Sequence, residues 1–238
     1  MDELKTEAVE YVRRHKKEIV GRVLDANRYQ PADKPVAVFM AGTPGAGKTE
    51  IAKNLIELFT YEPVRIDADD LRGLIPGYDG QNSHLVQTAA SLAVDYVLDA
   101  ALNKHLPFIL DATFAVGKAT VNIKRAIRRE YDTQIYFVYQ DPVQAWHFTK
   151  IREQKEGRFV PQEAFINAYF KSRENVQAVK REFGDTVTLR LITRNYSTGE
   201  NRVFDDVDDI DKYLPKLYTE DELKGLLDGQ ESPSTAND

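Results

Sequence analysis

Eight consecutive residues, Gly42-Thr43-Pro44-Gly45-Ala46-Gly47-Lys48-Thr49, follow the pattern G-x-x-x-x-G-K-[ST]. Glycines at this spacing let the backbone curl so that successive N–H groups point inward, and a helix starting at Lys48 adds the positive end of its dipole. Anionic phosphates are what such a loop holds. Lys48 is placed to neutralise the β- and γ-phosphate oxygens of ATP, and the Thr49 hydroxyl to take one coordination position of Mg²⁺. The motif points to nucleotide binding and leaves kinase, GTPase and motor chemistry open.

Carboxylates further along narrow that choice. Arg65-Ile66-Asp67-Ala68-Asp69-Asp70-Leu71-Arg72 follows a short apolar run. In a parallel α/β sheet, residues just past the strand ends line the ligand crevice, so one of these three acids should face the γ-phosphate, orient an acceptor hydroxyl and take its proton. Asp67, Asp69 or Asp70 could instead cap the next helix, and different members can do different jobs. Leu110-Asp111-Ala112-Thr113 also ends an apolar run in an acid. That is the place for a carboxylate holding Mg²⁺ through water beside Thr49, although a turn residue is the alternative. Arg152 and Arg158 flank an interruption in a helical pattern, where two guanidinium groups can close over a transferring phosphoryl group. His84, His105 and His147 show no metal-ligand spacing.

The elements that must hold these groups are legible as alternating patterns. Val36-Ala37-Val38-Phe39-Met40, Val64-Arg65-Ile66, Phe108-Ile109-Leu110, Ile135 to Tyr139 and Val187 to Ile192 are short apolar runs typical of strands covered on both faces. Helical patterns separate most of them. The fold expected is α/β, of the P-loop NTPase and kinase type: a mainly parallel sheet with helices on both faces and a helical lid. Residues 2–24 read as one amphipathic helix within an N-terminal segment 1–30. A kinase domain spans 31–228, its lid at about 142–183 reading more as a mobile cover than as a core layer. Leu85 to Leu102 reads as a largely buried helix, Asn195 to Glu200 as a turn into an edge strand at Arg202-Val203-Phe204, and 229–238 as a disordered tail.

Composition excludes other classes. With 42% hydrophobic residues in 238, the chain can bury an ordinary core. Thirty-eight acidic against 32 basic side chains, a net charge of −6, argue against broad attraction to nucleic acid or a membrane surface. Lys118, Lys124, Arg125, Arg128 and Arg129 nevertheless fall on one predicted helix and keep a polynucleotide acceptor in play. No cysteine is present, so disulfides and thiolate chemistry are excluded. The charged N-terminus lacks a secretory h-region and no apolar run approaches the ~20 residues of a spanning helix, so a cytoplasmic protein is expected.

From about Val36 to Phe204 the pattern resembles the zeta toxin family, bacterial P-loop kinases of UDP-N-acetylglucosamine. The resemblance rests on the phosphate loop, Ile66-Asp67-Ala68-Asp69 with Pro76-Gly77-Tyr78 after it, Leu110-Asp111-Ala112-Thr113, Ile151-Arg152-Glu153, Arg158 followed by Pro161, and Arg194-Asn195. It implies Asp69 as catalytic base beside Lys48, Arg152 and Arg158 as phosphate-contacting lid arginines, and Arg194 and Asn195 at the nucleotide. Asp67 and Thr113 would lie at the acceptor, and Thr49 and Asp111 at the metal. It further implies a small-molecule acceptor and a helical antitoxin covering the ATP site, a role the segment 2–24 could fill within the chain if it does not simply pack on the sheet. Family members carry Glu at the position of Asp111, and 71–88, where the acceptor would be read, matches only at its Pro-x-x-hydrophobic-aromatic edge. Kinase chemistry on another hydroxyl, of an antibiotic, nucleoside or polynucleotide 5′ end, and a nucleotide-dependent binding module are the competing readings.

Overall fold

The computed structural model describes residues 2–196 and 198–229; apart from Gly229, the expected tail lies outside the described residues. Six strands form one sheet: β1 (Val36–Ala41), β2 (Val64–Asp67), β3 (Phe108–Asp111), β4 (Asp132–Gln140), β5 (Val187–Asn195) and β6 (Glu200–Phe204). Their order is β2-β3-β1-β4-β5-β6, all parallel except β6, which pairs antiparallel with β5. Continuous apolar runs arise because both faces of β1 are covered. Ala37, Phe39 and Ala41 join the larger core, while Val38 and Met40 alternate to a second cluster with Ala52 and Leu55 of helix α3 (Lys48–Ile56).

The larger face is covered by α5 (Ser83–Asn103), α6 (Ala119–Ile127) and α8 (Gln162–Phe183), with the short α4 (Ala68–Arg72) between β2 and α5. At 21 residues and mean hydropathy 1.3, α5 is long and apolar enough to cross a membrane by composition alone, where the sequence suggested no such stretch. The fold gives another reason for that composition. Val86, Ala90, Val97 and Leu102 are buried, and α1 (Asp2–Arg14), α2 (Lys16–Val23) and α4 pack around the helix.

Two expectations are corrected here. The single helix over 2–24 is two, parted at His15, whose φ of −102° and ψ of 20° leave helical geometry and whose ring Nδ1 lies 2.9 Å from the Tyr11 carbonyl oxygen. Buried Val12 and Ile19 show these helices to be part of the core. The 142–183 segment is likewise more than a cover. α7 (Pro142–Glu156) and α8 bury Trp146 and Phe165, ring centroids 5.1 Å apart, together with Val176 and Val179. Truncating either of those rings to Ala would cost about 3–5 kcal/mol, too much for a freely swinging flap. α7 lines the cleft from Phe148 onward, and Arg158 and Val160 of the link after it do so too, while no residue of α8 does. The last helix, α9 (Glu220–Asp228), begins with a capping box between Thr219 and Glu222 and buries Leu223 and Leu227.

Candidate active site

The carboxyl ends of β1 to β5 open into one cavity of about 910 Å³. Its floor is the phosphate loop between β1 and α3. Gly45 and Gly47 adopt φ of 75° and 88°, the left-handed region where a side chain would be strained. At Gly45 space forbids one as well, since a Cβ would lie 2.1 Å from the Ala145 carbonyl oxygen of α7; at Gly47 it would lie 1.8 Å from the Arg194 guanidinium, a side-chain end able to move aside. The loop is therefore clamped between α7 and β5. Its Gly42 N–H donates to the Thr113 carbonyl oxygen at 3.2 Å, which ties it to the end of β3.

Lys48 opens α3 and is buried, its ammonium donating to the Gly42 and Thr43 carbonyl oxygens at 3.0 and 2.6 Å. Burial pushes its pKa down to about 8; Asp111 opposes that shift and Arg158 and Arg152 add to it. A buried ammonium held only by two carbonyl dipoles has the character of a group waiting for an anion. The curled loop, the lysine and the helix start together fit a nucleotide's phosphates.

The acids sort themselves by guanidinium. Asp67 and Asp111 are register partners at the ends of β2 and β3. Arg65 of β2 binds both, lying 3.2 Å from Asp111 Oδ2, and reaches Asp70 at 2.8 Å as well. Asp67 also caps α4 by accepting from the Asp69 N–H at 2.9 Å. Burial, and after it the carboxylates of Asp111 and Asp69, raise the Asp67 pKa to about 6, against the pull of the Asp69 N–H and Arg65. Asp69 stands apart: Arg72 donates to its Oδ1, Arg158 to its Oδ2, and Arg152 lies 3.7 Å from that same oxygen. Arg152 is also paired with Glu156 at 3.0 Å. Burial lowers the Arg158 pKa, Asp69 resists this, and Arg72 and Arg152 reinforce it. Arg72 holds Asp69 from behind, while Arg152 and Arg158 line the cavity, so two guanidinium groups face the space an anionic ligand would enter.

Most residues singled out in the sequence line this cavity: Pro44 to Thr49, Asp67, Asp69, Asp111, Thr113, Arg152, Arg158, Arg194 and Asn195 are on its wall, while Gly42, Thr43 and Asp70 are not, Gly42 being tied to Thr113 and the Thr43 carbonyl oxygen to Lys48. Arg194 donates to Glu50 at 2.7 Å while covering Gly47. Thr49 and Asp111 offer the hard oxygen donors Mg²⁺ prefers, and among the described residues no three His or acidic groups converge to cage a metal by themselves. That donor set fits an ion shared with a nucleotide's phosphates, which usually keeps only one or two protein ligands. Asp111, held by Arg65, would have to share its carboxylate.

Sequence reasoning missed Arg65 and Arg72. Arg65 had a signal, a charge inside an otherwise apolar strand. Arg72 had only its place three residues after Asp69, one helical turn on. Four of the five basic residues at α6 have partners: Lys118 pairs with Asp95 at 2.5 Å, Lys124 with Glu182 at 2.6 Å, Arg125 with Asp99, and Arg129 donates to Asn103 at 3.0 Å, while Arg128 is exposed. These pairs tie most of the cluster to the fold itself and weaken the feature that favoured a polynucleotide acceptor.

A family model described as Zeta toxin matches residues 20–213. No curated protein matches the chain by sequence. In three dimensions the chain is similar to a structure described as the PezAT chromosomal toxin-antitoxin system of Streptococcus pneumoniae, at TM-score 0.60 and 16% identity, covering 96% of this chain and 89% of that one. It is also similar to the complex of AvrRxo1-ORF1 with AvrRxo1-ORF2 crystallised with sulphate ions, at TM-score 0.60 and 14% identity, covering 89% and 69%. The native form of that complex gives TM-score 0.59 at 14% identity, covering 89% and 70%.

Proposed function

Because the chain belongs to the zeta toxin family, we propose that it is an ATP-dependent phosphotransferase that moves the γ-phosphate of Mg²⁺-ATP to a hydroxyl of UDP-N-acetylglucosamine. On this reading it is the toxin of a toxin–antitoxin pair, acts in the cytoplasm, and is restrained by a helical antitoxin laid over the nucleotide cleft. The observation that carries the enzymatic part is the meeting of Asp69 with the two lid arginines on the wall of the cavity whose floor is the phosphate loop. Base, phosphate clamp and transition-state cations share one cavity.

The chemistry follows from that placement. Lys48 and the loop N–H groups hold the β- and γ-phosphates. Arg152 and Arg158 turn from Asp69 to the γ-phosphoryl oxygens as negative charge spreads over them. Mg²⁺ held by Thr49 and Asp111 would offset charge on the β- and γ-oxygens. The acceptor oxygen then bonds to the γ-phosphorus as the bond to the β–γ bridging oxygen breaks, and Asp69 takes the hydroxyl proton, leaving ADP and a phosphate ester. Transition states of this kind are largely dissociative, so orientation of the hydroxyl by Asp69 matters as much as proton removal.

Purified protein incubated with γ-labelled ATP and a panel of UDP-N-acetylglucosamine, nucleosides, aminoglycosides and oligonucleotides tests the assignment. Label is expected on the sugar nucleotide, in a magnesium-dependent reaction. Label on another member of the panel, or on none, would sink the acceptor. The lid arginines give a sharper internal check. Arg152→Ala and Arg158→Ala are expected to lower kcat by about 10³-fold or more while weakening a non-hydrolysable ATP analogue only a few-fold, because the charge they offset develops in the transition state. Equal losses in binding and turnover would mean that they only hold ground-state phosphate.

A further inference from the structure

Asp69 makes bonds on both of its oxygens, and the two partners differ in kind. Arg158, and Arg152 beside it, come from the far side of the cleft and line the cavity; both side chains are partly open to solvent, at 28% and 42%. Arg72 comes from the same short helix as Asp69, its side chain is only 5% exposed, and it does not line the cavity. Its second terminal nitrogen donates to Gln87 Oε1 on α5. Its Nε is buried without a hydrogen-bond partner.

We propose that Arg72 is a positioning residue for phosphoryl transfer: anchored on α5 through Gln87, it fixes Oδ1 of Asp69 so that Oδ2 is the oxygen presented to the acceptor hydroxyl. This rests on the assignment of Asp69 as the base. Lid arginines that serve the phosphate have to release Oδ2 during transfer. Arg72 has no such freedom, since it is buried against α5 and has no path to the phosphates through the cavity. A carboxylate gripped only by Arg158 would follow that side chain as it turned; one gripped also from behind stays in place. Stability alone is a poor reason for the arrangement. A buried guanidinium with an unpaired donor is a burden to the fold, and an apolar side chain of similar volume would fill the space without it.

The prediction is a selective loss. In Arg72→Lys, which keeps the charge but not the fork that spans Asp69 and Gln87, kcat for transfer to UDP-N-acetylglucosamine is expected to fall about 100-fold, the scale that a misplacement of about 1 Å produces. KM for the acceptor and the Kd of a non-hydrolysable ATP analogue should stay within about twofold. In Arg72→Ala, added guanidinium should recover part of the lost rate. Slow hydrolysis of ATP, with water as acceptor, uses the same oxygen of Asp69 and should fall in parallel. A kcat within about threefold of wild type in Arg72→Lys would overturn the proposal. So would a rate loss that merely tracks the loss of folded protein in thermal melts, with no guanidinium rescue. If the wild type binds the analogue yet labels no sugar nucleotide, the acceptor assignment fails by itself and the hydrolysis rates still decide the role of Arg72.

Discussion

Asp69→Asn is expected to leave phosphorylated acceptor nearly undetectable while the protein folds and binds an ATP analogue at least as tightly as wild type. Asparagine keeps the shape of the side chain and loses its charge and its ability to take a proton. A positioned base contributes roughly 10²–10⁴ in rate, so turnover should fall by that order. The gain in affinity comes from the other end of the same ion pair. In the structure Oδ2 of Asp69 occupies Arg158 and sits 3.7 Å from Arg152. A γ-phosphate arriving at those arginines must displace the carboxylate. Once the carboxylate is an amide, that competition disappears, and affinity for the analogue should rise a few-fold. The rise should vanish when Arg152 and Arg158 are already alanines, which a double-mutant cycle on analogue binding would read directly. Asp67→Asn and Asp70→Asn serve as comparisons. Asp67 caps α4 and Asp70 reaches out to Arg65, so both should harm kcat less. Near-normal transfer in Asp69→Asn beside a dead Asp67→Asn or Asp70→Asn would reassign the base within the trio.

That ion pair also marks where reading the chain by sequence reaches its limit. The sheet was legible because β1, β3 and β4 are covered on both faces, which leaves near-continuous apolar runs, while β2 and β5 still keep a buried face beside Arg65, Thr188 and Arg190. The phosphate loop was legible because its glycines and lysine fall at a fixed short spacing, although the backbone that leaves no room for a Cβ at Gly42 and Gly45 belongs to Val138 and Ala145, far along the chain. Asp69 and Arg158 are 89 residues apart, and nothing short of the fold brings them together. The chain's own pattern offered Asp69 as one of three acids and Arg158 as one of two arginines, and the family resemblance chose Asp69 as the base. Arg65 and Arg72 show the same limit from another side. In a chain with 29% charged residues Arg72 carries no mark of burial, Arg65 carries only its place in an apolar strand, and the β2 and α4 geometry alone reveals which carboxylate each one serves. The break at His15 was invisible for a different reason: apolar spacing on both sides of it continues one stripe, and both halves pack on α5. Likewise, the charge density of 142–183 suggested a cover, while Trp146, Phe165, Ile166, Tyr169, Val176 and Val179, interleaved with those charges, are buried in the core.

Lys48 carries the second large effect, and its burial gives that effect a pH signature. Lys48→Met removes a preorganised cation from the phosphates and is expected to lower kcat by about 10²–10³-fold or more, by analogy with the loss of other preorganised electrostatic contacts. Burial brings the pKa of the Lys48 ammonium down to about 8. Phosphates bind the charged form, so the sign is fixed. Below about pH 8 the lysine is already protonated and affinity for the ATP analogue is flat. Above it, binding must take up a proton, and Kd should rise by about tenfold per pH unit until the pKa of the bound state is reached. Calorimetry between pH 7 and 9.5 in buffers of different ionisation enthalpy reads both the affinity and the proton uptake. Lys48→Met should bind weakly at every pH, with the alkaline loss and the proton uptake gone. Wild-type turnover in the variant would remove the phosphate-loop argument altogether. An unchanged alkaline limb would assign that titration to another group and leave Lys48 charged throughout.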